Sequence, residues 1–461
     1  MSIRLLHGVH VPHRKNTAAC APTRMPVPAV VTIPMSMNIG KPAVPVVKVN
    51  DTVKVGQMIA EAGGFVSAPI YSGVSGTVKK IDETLLFHGA RCKTVVIETD
   101  GEQSEYEGMQ APEVTDFDSF IDAVAKSGVV GLGGAGFPTA VKLKVDPEKV
   151  DFICINGAEC EPYITADTRT MLDDGELLAE GVDLLKRFYP AAKVIIGIEN
   201  NKPECIRYLR GLMDGRENVE VRALPALYPQ GGEKVLIHNT TGRVVGEGKL
   251  PIDSGCIVIN TSTLVTIARY IKTGKPLVEK YVTVDGSAIR NPQNVIVPIG
   301  TAIRDVVEFT GGFREEPKKI ILGGPMMGVS VPSVDEVVVK NTGAILCFGA
   351  KEAKLPEPTA CIRCGNCIDA CPMNLMPTEI EHAYDRGDGA MLEKLKVNLC
   401  MECGCCAFAC PAKRRLVEIN KLGKVMLNDY LKAQKAEADR KAAVRAEKEA
   451  AAAAEKEAAA K

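Results

Sequence analysis

The chain has 461 residues, 46% of them hydrophobic, with 42 glycines and no tryptophan, which suits about three or four globular domains rich in tight turns. A formal net charge of −1 argues against a nucleic-acid binder. No run reaches the roughly 18 uninterrupted apolar residues needed to span a bilayer, so membrane association is expected to come only through partners. Residues 1–16 lack the apolar stretch of a secretory leader, which argues against export. His7, His10 and His13 lie here, with Cys20 beyond. Their ligand types suit zinc, but the even spacing on an undefined backbone points first to surface or packing roles.

Between residues 26 and 98, apolar alternation at 44–49 and 53–55 is punctuated by Gly56, Gly63, Gly64, Gly73 and Gly76. That pattern predicts a small barrel-like sandwich, the core of a first domain over 1–112. It is similar to the biotinyl/lipoyl hammerhead, in which a lysine at a hairpin tip carries the cofactor. Here the tip, Glu61 to Phe65, has no lysine, so a docking or scaffolding role is expected.

From residue 114 the pattern becomes α/β. Phe117, Phe120, Ile121 and Val124 mark an amphipathic helix. A glycine-rich loop follows (Gly131, Gly133, Gly134, Gly136), then a buried strand over 150–155, a helix over 177–188 and a strand over 193–198. Strands alternating with helices predict a parallel, doubly covered sheet within a domain over 113–276. Residues 278–313 read as strand, turn, strand and helix, similar to the soluble-ligand-binding β-grasp family, within a module over 277–350. A cysteine-rich domain over 351–425 comes next. Residues 426–461 are rich in alanine, glutamate and lysine with no apolar stripe, which predicts a solvated helical tail.

The cysteine-rich segment carries the strongest chemical signal. Cys361, Cys364, Cys367 and Cys371-Pro372, then Cys400, Cys403, Cys406 and Cys410-Pro411, both read C-x2-C-x2-C-x3-C-P. Two-residue gaps let three thiolates from one tight loop reach three corners of a cubane iron–sulfur cluster. In two-cluster ferredoxins the fourth thiolate comes from the other run. The expected ligand sets are therefore Cys361, Cys364, Cys367 and Cys410 for one cluster, and Cys400, Cys403, Cys406 and Cys371 for the other. A disulfide framework belongs to small secreted domains, and paired zinc sites do not add the x3-C-P tail. Cys405 is left over and reads as a packed neighbour.

Gly131-x-Gly133-x-x-Gly136 formally matches the dinucleotide fingerprint, which needs a strand before it and a helix opening from it. A helix precedes it here, Pro138 follows, and Asp151 comes before its strand. Clustered glycines still expose backbone N–H groups to an anion, and Lys142 adds positive charge. The stretch Gly131 to Lys142 resembles the glycine-rich loop of the NADH-oxidising flavoprotein subunit of complex I. Three further segments resemble that family in the same order: Asn156 to Pro162 with Glu159 and Glu161, Tyr228 to Lys234 with Gly231 and Glu233, and Val258 to Leu264 with Asn260 and Thr263. Departures from its pattern fall at Ala158, Gly232 and Ile259.

With Gly323 to Gly328 and both cysteine runs, nearly the whole chain resembles the C subunit of the Rnf complex, an ion-translocating ferredoxin:NAD oxidoreductase. The resemblance implies non-covalent FMN, NAD(H) and two [4Fe-4S] clusters. It also implies integral-membrane and iron–sulfur partners (the A, B, D, E and G subunits) and a peripheral place on the cytoplasmic side of the cell membrane. Carried over residue by residue, Gly131, Gly133, Gly134, Gly136 and Lys142 would hold phosphates. Asn156, Glu159 and Asn260 would contact flavin, Glu161 and Glu233 would lie beside the nicotinamide nucleotide, and Gly231 and Thr263 would complete the site. No side chain is expected to act as a catalytic acid or base. Two alternatives are a cobalamin reductase of a bacterial microcompartment and a non-catalytic iron–sulfur adaptor with a vestigial nucleotide site.

Overall fold

In the computed structural model, which describes residues 5–86 and 89–459, the chain divides into two compact units. One spans 10–355, with the few residues before His7. The other spans 356–461, with 7–9. The ends of the expected first domain and tail, residues 1–4 and 460–461, lie outside the described residues.

The larger unit begins with a β sandwich. Strands Val30–Pro34, Arg91–Thr99, Gly76–Leu85 and Thr52–Val53 form an antiparallel sheet in that order, facing a smaller sheet of Val44–Pro45, Met58–Glu61 and Ile70–Tyr71. The period-two pattern does the folding work: Val31 and Ile33 point inward opposite Ile97 and Val95, while Val30 stays exposed. At Gly76, whose φ is +157°, a Cβ would lie 2.1 Å from the Glu98 carbonyl oxygen, so only glycine fits this strand crossing.

The central layer is a parallel sheet of β1 (Phe152–Asn156), β2 (Lys193–Glu199), β3 (Val219–Leu224) and β4 (Cys256–Asn260), ordered β3-β2-β1-β4. Its strands read as continuous apolar runs because helices cover both faces. Helix Phe117–Lys126, capped by Asp116, buries Phe120 in a stack on Phe188 with ring centroids 4.5 Å apart. The chain steps from β1 out to β3 and returns to the other side of β1 for β4. That reversal makes a topological switch point, where open α/β sheets bind ligands at the carboxyl ends of their strands.

The third layer is a mixed sheet of six strands. Glu279–Asp285 and Gln293–Pro298 form its hairpin, helix Ile303–Phe309 follows, and Lys319–Leu322 and Val329–Val331 extend it. Ala344–Phe348 enters as a central strand beside Glu279–Asp285, and Thr23–Arg24, from the start of the chain, adds an edge. Sequence analysis anticipated neither addition.

Lys340 staples the three layers together. It is 1% exposed, and its ammonium donates to the Pro69 carbonyl at 2.6 Å and to the Gly128 carbonyl at 2.8 Å. Burial pushes its pKa down to about 7. A depressed folded-state value means that its stability contribution is present above the unfolded value, near ~10.4, and is lost as pH falls through about 7. Wild type is therefore expected to gain roughly 1–3 kcal/mol over Lys340→Met between about pH 6 and pH 9. Thermal unfolding of both proteins across that range checks this, and a gap that does not widen with pH would contradict it.

The smaller unit holds both cysteine runs. Short helices Asn366–Asp369 and Cys405–Ala409 follow left-handed Gly365 (φ +81°) and Gly404 (φ +79°). Helices Pro377–Asp385 and Gly389–Lys394 pack against the start of the long final helix, Leu416–Ala459, through Ile380, Leu392, Val397 and Leu427. From residue 431 that helix is exposed where its side chains are described, and it carries i,i+4 pairs such as Glu437–Lys441 and Arg445–Glu449. Among the described residues, no helix is long and apolar enough to cross a membrane.

Candidate functional site

At the switch point, Asn156 closes β1 and Asn260 closes β4, and the two are register partners. Asn260 begins the next helix, Thr261–Thr273. Its Oδ1 accepts from Thr263 N at 3.1 Å, and its Nδ2 donates to Asp167 Oδ2 at 2.7 Å. Ser262 Oγ donates to the other Asp167 oxygen at 2.6 Å. Asn156 Nδ2 donates to the Gly231 carbonyl at 2.8 Å, and its Oδ1 accepts from Ala158 N at 3.2 Å. Both asparagines therefore hold loops in place at the ligand-binding end of the sheet.

The glycine loop lies against this corner as a turn over 132–135, joined to the short helix Thr139–Leu143. Leu132 N donates to Thr263 Oγ1 at 3.0 Å. Gly133 and Gly134 are exposed, whereas Gly136 is buried at φ +71°. A Cβ on Gly133 would come 2.5 Å from Asn260 Nδ2, an amide that Asp167 and Thr263 pin, while one on Gly134 would meet nothing within 4 Å. Gly131 bonds the Phe137 carbonyl at 2.9 Å and closes the loop. Lys142 reaches Glu233 Oε1 at 2.7 Å and the Val258 carbonyl at 3.1 Å. Gly231 N donates to Cys160 Sγ at 3.3 Å.

The acidic segment is held from behind. Glu159 and Tyr163 both have positive φ, at 45° and 70°. The Lys15 ammonium donates to the carbonyls of Glu159, Glu161 and Ile164 at 2.7, 2.9 and 2.6 Å, and Lys202 donates to the Ala158 carbonyl at 2.6 Å. The Glu159 carboxylate accepts from Asp167 N at 2.6 Å and from Thr168, at the start of helix Ala166–Asp173, with Lys15 Nζ 3.8 Å away. The Glu161 carboxylate accepts from Met326 N at 3.0 Å, Met327 N at 2.9 Å and Tyr228 OH at 3.3 Å. Burial raises the pKa of both carboxyls and lowers that of Lys15. The residues expected to face flavin and nicotinamide thus have carboxylates already engaged within the protein.

Sequence reasoning missed Lys15, Asp167 and Lys202. Lys15 meets its partners 144 to 149 positions along the chain, so no local spacing announces it.

Three buried polar atoms around this corner have no partner among the described residues: Thr139 Oγ1, Gln230 Nε2 and Thr261 Oγ1. They sit where the glycine loop enters its helix, beside Gly231, and directly after Asn260. Buried polar groups are normally satisfied, and an exposed glycine turn beside unsatisfied donors suits a polar, phosphate-bearing group such as FMN.

In the smaller unit the thiols cross between runs. Cys406 is within electrostatic reach of Cys400, Cys403 and Cys371, and Cys367 of Cys410. Cys361 influences Arg414, and Cys364 is exposed. Cys405 is fully buried and contacts Cys403. The Cys361 sulfur accepts from Arg363 N and the Cys400 sulfur from Glu402 N, both at 3.4 Å, with Arg363 and Glu402 left-handed. The two runs thus repeat one loop geometry. No three His, Cys, Asp or Glu among the described residues converge tightly enough for a single metal ion. A cubane makes a different demand, because each of its thiolates binds a separate iron and they stand apart around the cluster.

Comparison with known proteins follows these layers. Family models match in four places: the RnfC barrel sandwich hybrid domain over 3–102, the Nuo51 FMN-binding domain over 124–269, the SLBB domain over 281–330 and the 4Fe-4S dicluster domain over 360–413. The expected fold classes are borne out in each, as are FMN and iron–sulfur clusters as cofactors.

A chain of NAD+-reducing [NiFe]-hydrogenase in the air-oxidized state overlays with a TM-score of 0.49 at 20% identity, covering 66% of this chain and 62% of that one. The C subunit of the Na(+)-translocating ferredoxin:NAD(+) oxidoreductase complex of Acetobacterium woodii is 42% identical over 384 residues, covering 82% of this chain and 87% of its own. Its counterpart in the proton-translocating ferredoxin:NAD(+) oxidoreductase complex of Clostridium ljungdahlii is 41% identical over 376 residues, covering 80% and 82%. The C subunit of the ion-translocating oxidoreductase complex of Rhodobacter capsulatus is 37% identical over 397 residues, covering 84% and 76%. These relatives favour neither the cobalamin reductase nor the adaptor alternative. The chain belongs to the family of C subunits of the ion-translocating ferredoxin:NAD(+) oxidoreductase complex.

Proposed function

We propose that this chain is the electron-transfer subunit through which such a complex exchanges electrons with NAD(H), coupled by its partners to ferredoxin and ion translocation. The supporting observation is the glycine turn at the switch point, backed by two register-paired asparagines, in a chain that also carries a two-cluster cysteine segment. Bound FMN would exchange electron pairs for single electrons, and the two clusters would carry single electrons.

The chain's own residues bind and orient. Gly133, Gly134 and Gly136 offer backbone N–H groups to phosphate, with Lys142 as the nearby cation, while Gly131, whose own N–H is given to the Phe137 carbonyl, shapes the turn that presents them. Asn156 and Asn260 order the loops under the flavin, and Thr263 anchors the glycine turn. Gly231 and Glu233 line the nicotinamide side. Glu159 and Glu161 act through the loop, fixing its backbone from the protein side. Cys361, Cys364, Cys367 and Cys410 hold one cluster, and Cys400, Cys403, Cys406 and Cys371 the other. The partners are the A, B, D, E and G subunits, and the chain sits peripherally on the cytoplasmic face of the membrane.

Gly133→Ala tests the flavin site. Its new methyl pushes on a pinned amide, so FMN binding is expected to weaken at least about tenfold while both clusters remain. An unchanged FMN-to-protein ratio after dialysis would remove the glycine turn from the flavin site.

A further inference from the structure

Helix Leu416–Ala459 packs with a stripe at helical spacing: Leu416, Asn420, Gly423 and Leu427 all face inward. Asn420 is the anomaly. It is 1% exposed, in a helix interior, where asparagine is a poor helix former and a buried amide costs free energy unless bonded. Its Oδ1 has no partner among the described residues. Its Nδ2 has one, Cys400 Sγ, at 3.5 Å. A leucine would fill the stripe more cheaply, so the amide points to a task at the sulfur.

An iron-bound thiolate has no proton and can only accept, so it must receive the amide's N–H side. Cys400 also accepts from Glu402 N at 3.4 Å, giving this sulfur one backbone and one side-chain donor. One turn further on, Lys424 approaches the same thiol, but its ammonium is bound to Glu402 Oε1 at 2.6 Å, which offsets its charge. The amide remains as the uncompensated side-chain influence, beside the Glu402 backbone donor. In the other run, Cys361 accepts from Arg363 N, and the side-chain donor is the Thr378 hydroxyl, on Cys367. Hydrogen bonds to cluster sulfurs draw off negative charge and favour the reduced state, which carries one more electron.

We propose that Asn420 is a positioning residue that raises the reduction potential of the cluster held by Cys400, Cys403, Cys406 and Cys371, making that cluster a better electron acceptor than it would be without the amide. The inference rests on the two-cluster reading given above. Asn420→Leu removes the donor and keeps the volume. In an anaerobic redox titration of the full chain followed by electron paramagnetic resonance, one cluster signal should move to lower potential and the other should stay. At fixed ambient potential, the reduced-to-oxidised ratio of the affected cluster should fall roughly three- to tenfold. Iron content should be unchanged, and thermal stability equal or higher, because a half-satisfied amide has left the core. Two unmoved potentials with full iron would overturn the proposal.

Should Asn420→Leu lose iron, Asn420→Ser is titrated instead. Its shorter hydroxyl falls away from the sulfur, so an unmoved potential there overturns the proposal equally. Failure of the two-cluster reading shows separately, as wild-type protein with iron for fewer than two clusters.

Discussion

Replacing Cys371 by serine is expected to halve the iron content and remove the cluster signal that belongs to the second cysteine run, leaving the first intact. The two-cluster ferredoxin pattern assigns Cys371 to the other run. In agreement with that expectation, its thiol is within electrostatic reach of Cys400, Cys403 and Cys406, and Cys410 is within reach of Cys367. A ligand lost from a four-thiolate set strips a corner iron of its protein bond and opens that cluster to disassembly. The paired experiment is Cys410→Ser, which should delete the other cluster. Iron analysis and low-temperature spectra of both variants check the exchange. If Cys371→Ser abolished instead the cluster bound by Cys361, Cys364 and Cys367, the crossed assignment would be wrong.

Lys15→Met is expected to lower the melting temperature by roughly 4–7 °C and to strip most of the FMN, although Lys15 carries no flavin role in the proposed site. Its ammonium satisfies three carbonyls of the acidic segment and faces the Glu159 carboxylate. Without it, a side chain that is 3% exposed keeps a carboxylate with less compensation, in a backbone that holds Glu159 and Tyr163 at positive φ. Breaking a buried pair in this way costs about 3–5 kcal/mol. The loop then loses the geometry that presents Asn156 and Gly231 to the ligand. Calorimetry and flavin absorbance of the purified variant measure both effects. A variant that melts like wild type and keeps its FMN would mean that the acidic segment holds its shape without Lys15.

The features legible in the sequence were those whose chemistry is local. Three thiolates two residues apart, a glycine-dense loop and a period-two strand each write their requirement into neighbouring positions. Cluster-forming runs, the sandwich, the parallel sheet and the β-grasp hairpin could therefore be read in advance. What escaped was fixed by contacts across the chain. Lys340 meets Pro69 across 271 positions, and Thr23–Arg24 becomes an edge strand of a sheet built mainly after residue 279. Glu159 and Glu161 show a different limit. Residue type announced acidic groups near a nucleotide, but side-chain direction decides their role, and both carboxylates turn towards backbone donors of the protein. Asn420 was hidden for a related reason. A single polar residue in an otherwise inward-facing stripe carries meaning only once the sulfur it faces is known.

The central claim, a path from NAD(H) through flavin to both clusters within this one chain, is tested most directly by anaerobic titration of the purified protein with NADH, with iron and FMN quantified beforehand. The account predicts bleaching of the flavin absorbance together with reduction of the iron–sulfur clusters. Intact clusters with flavin absent, or with flavin present but inert to NADH, would contradict it.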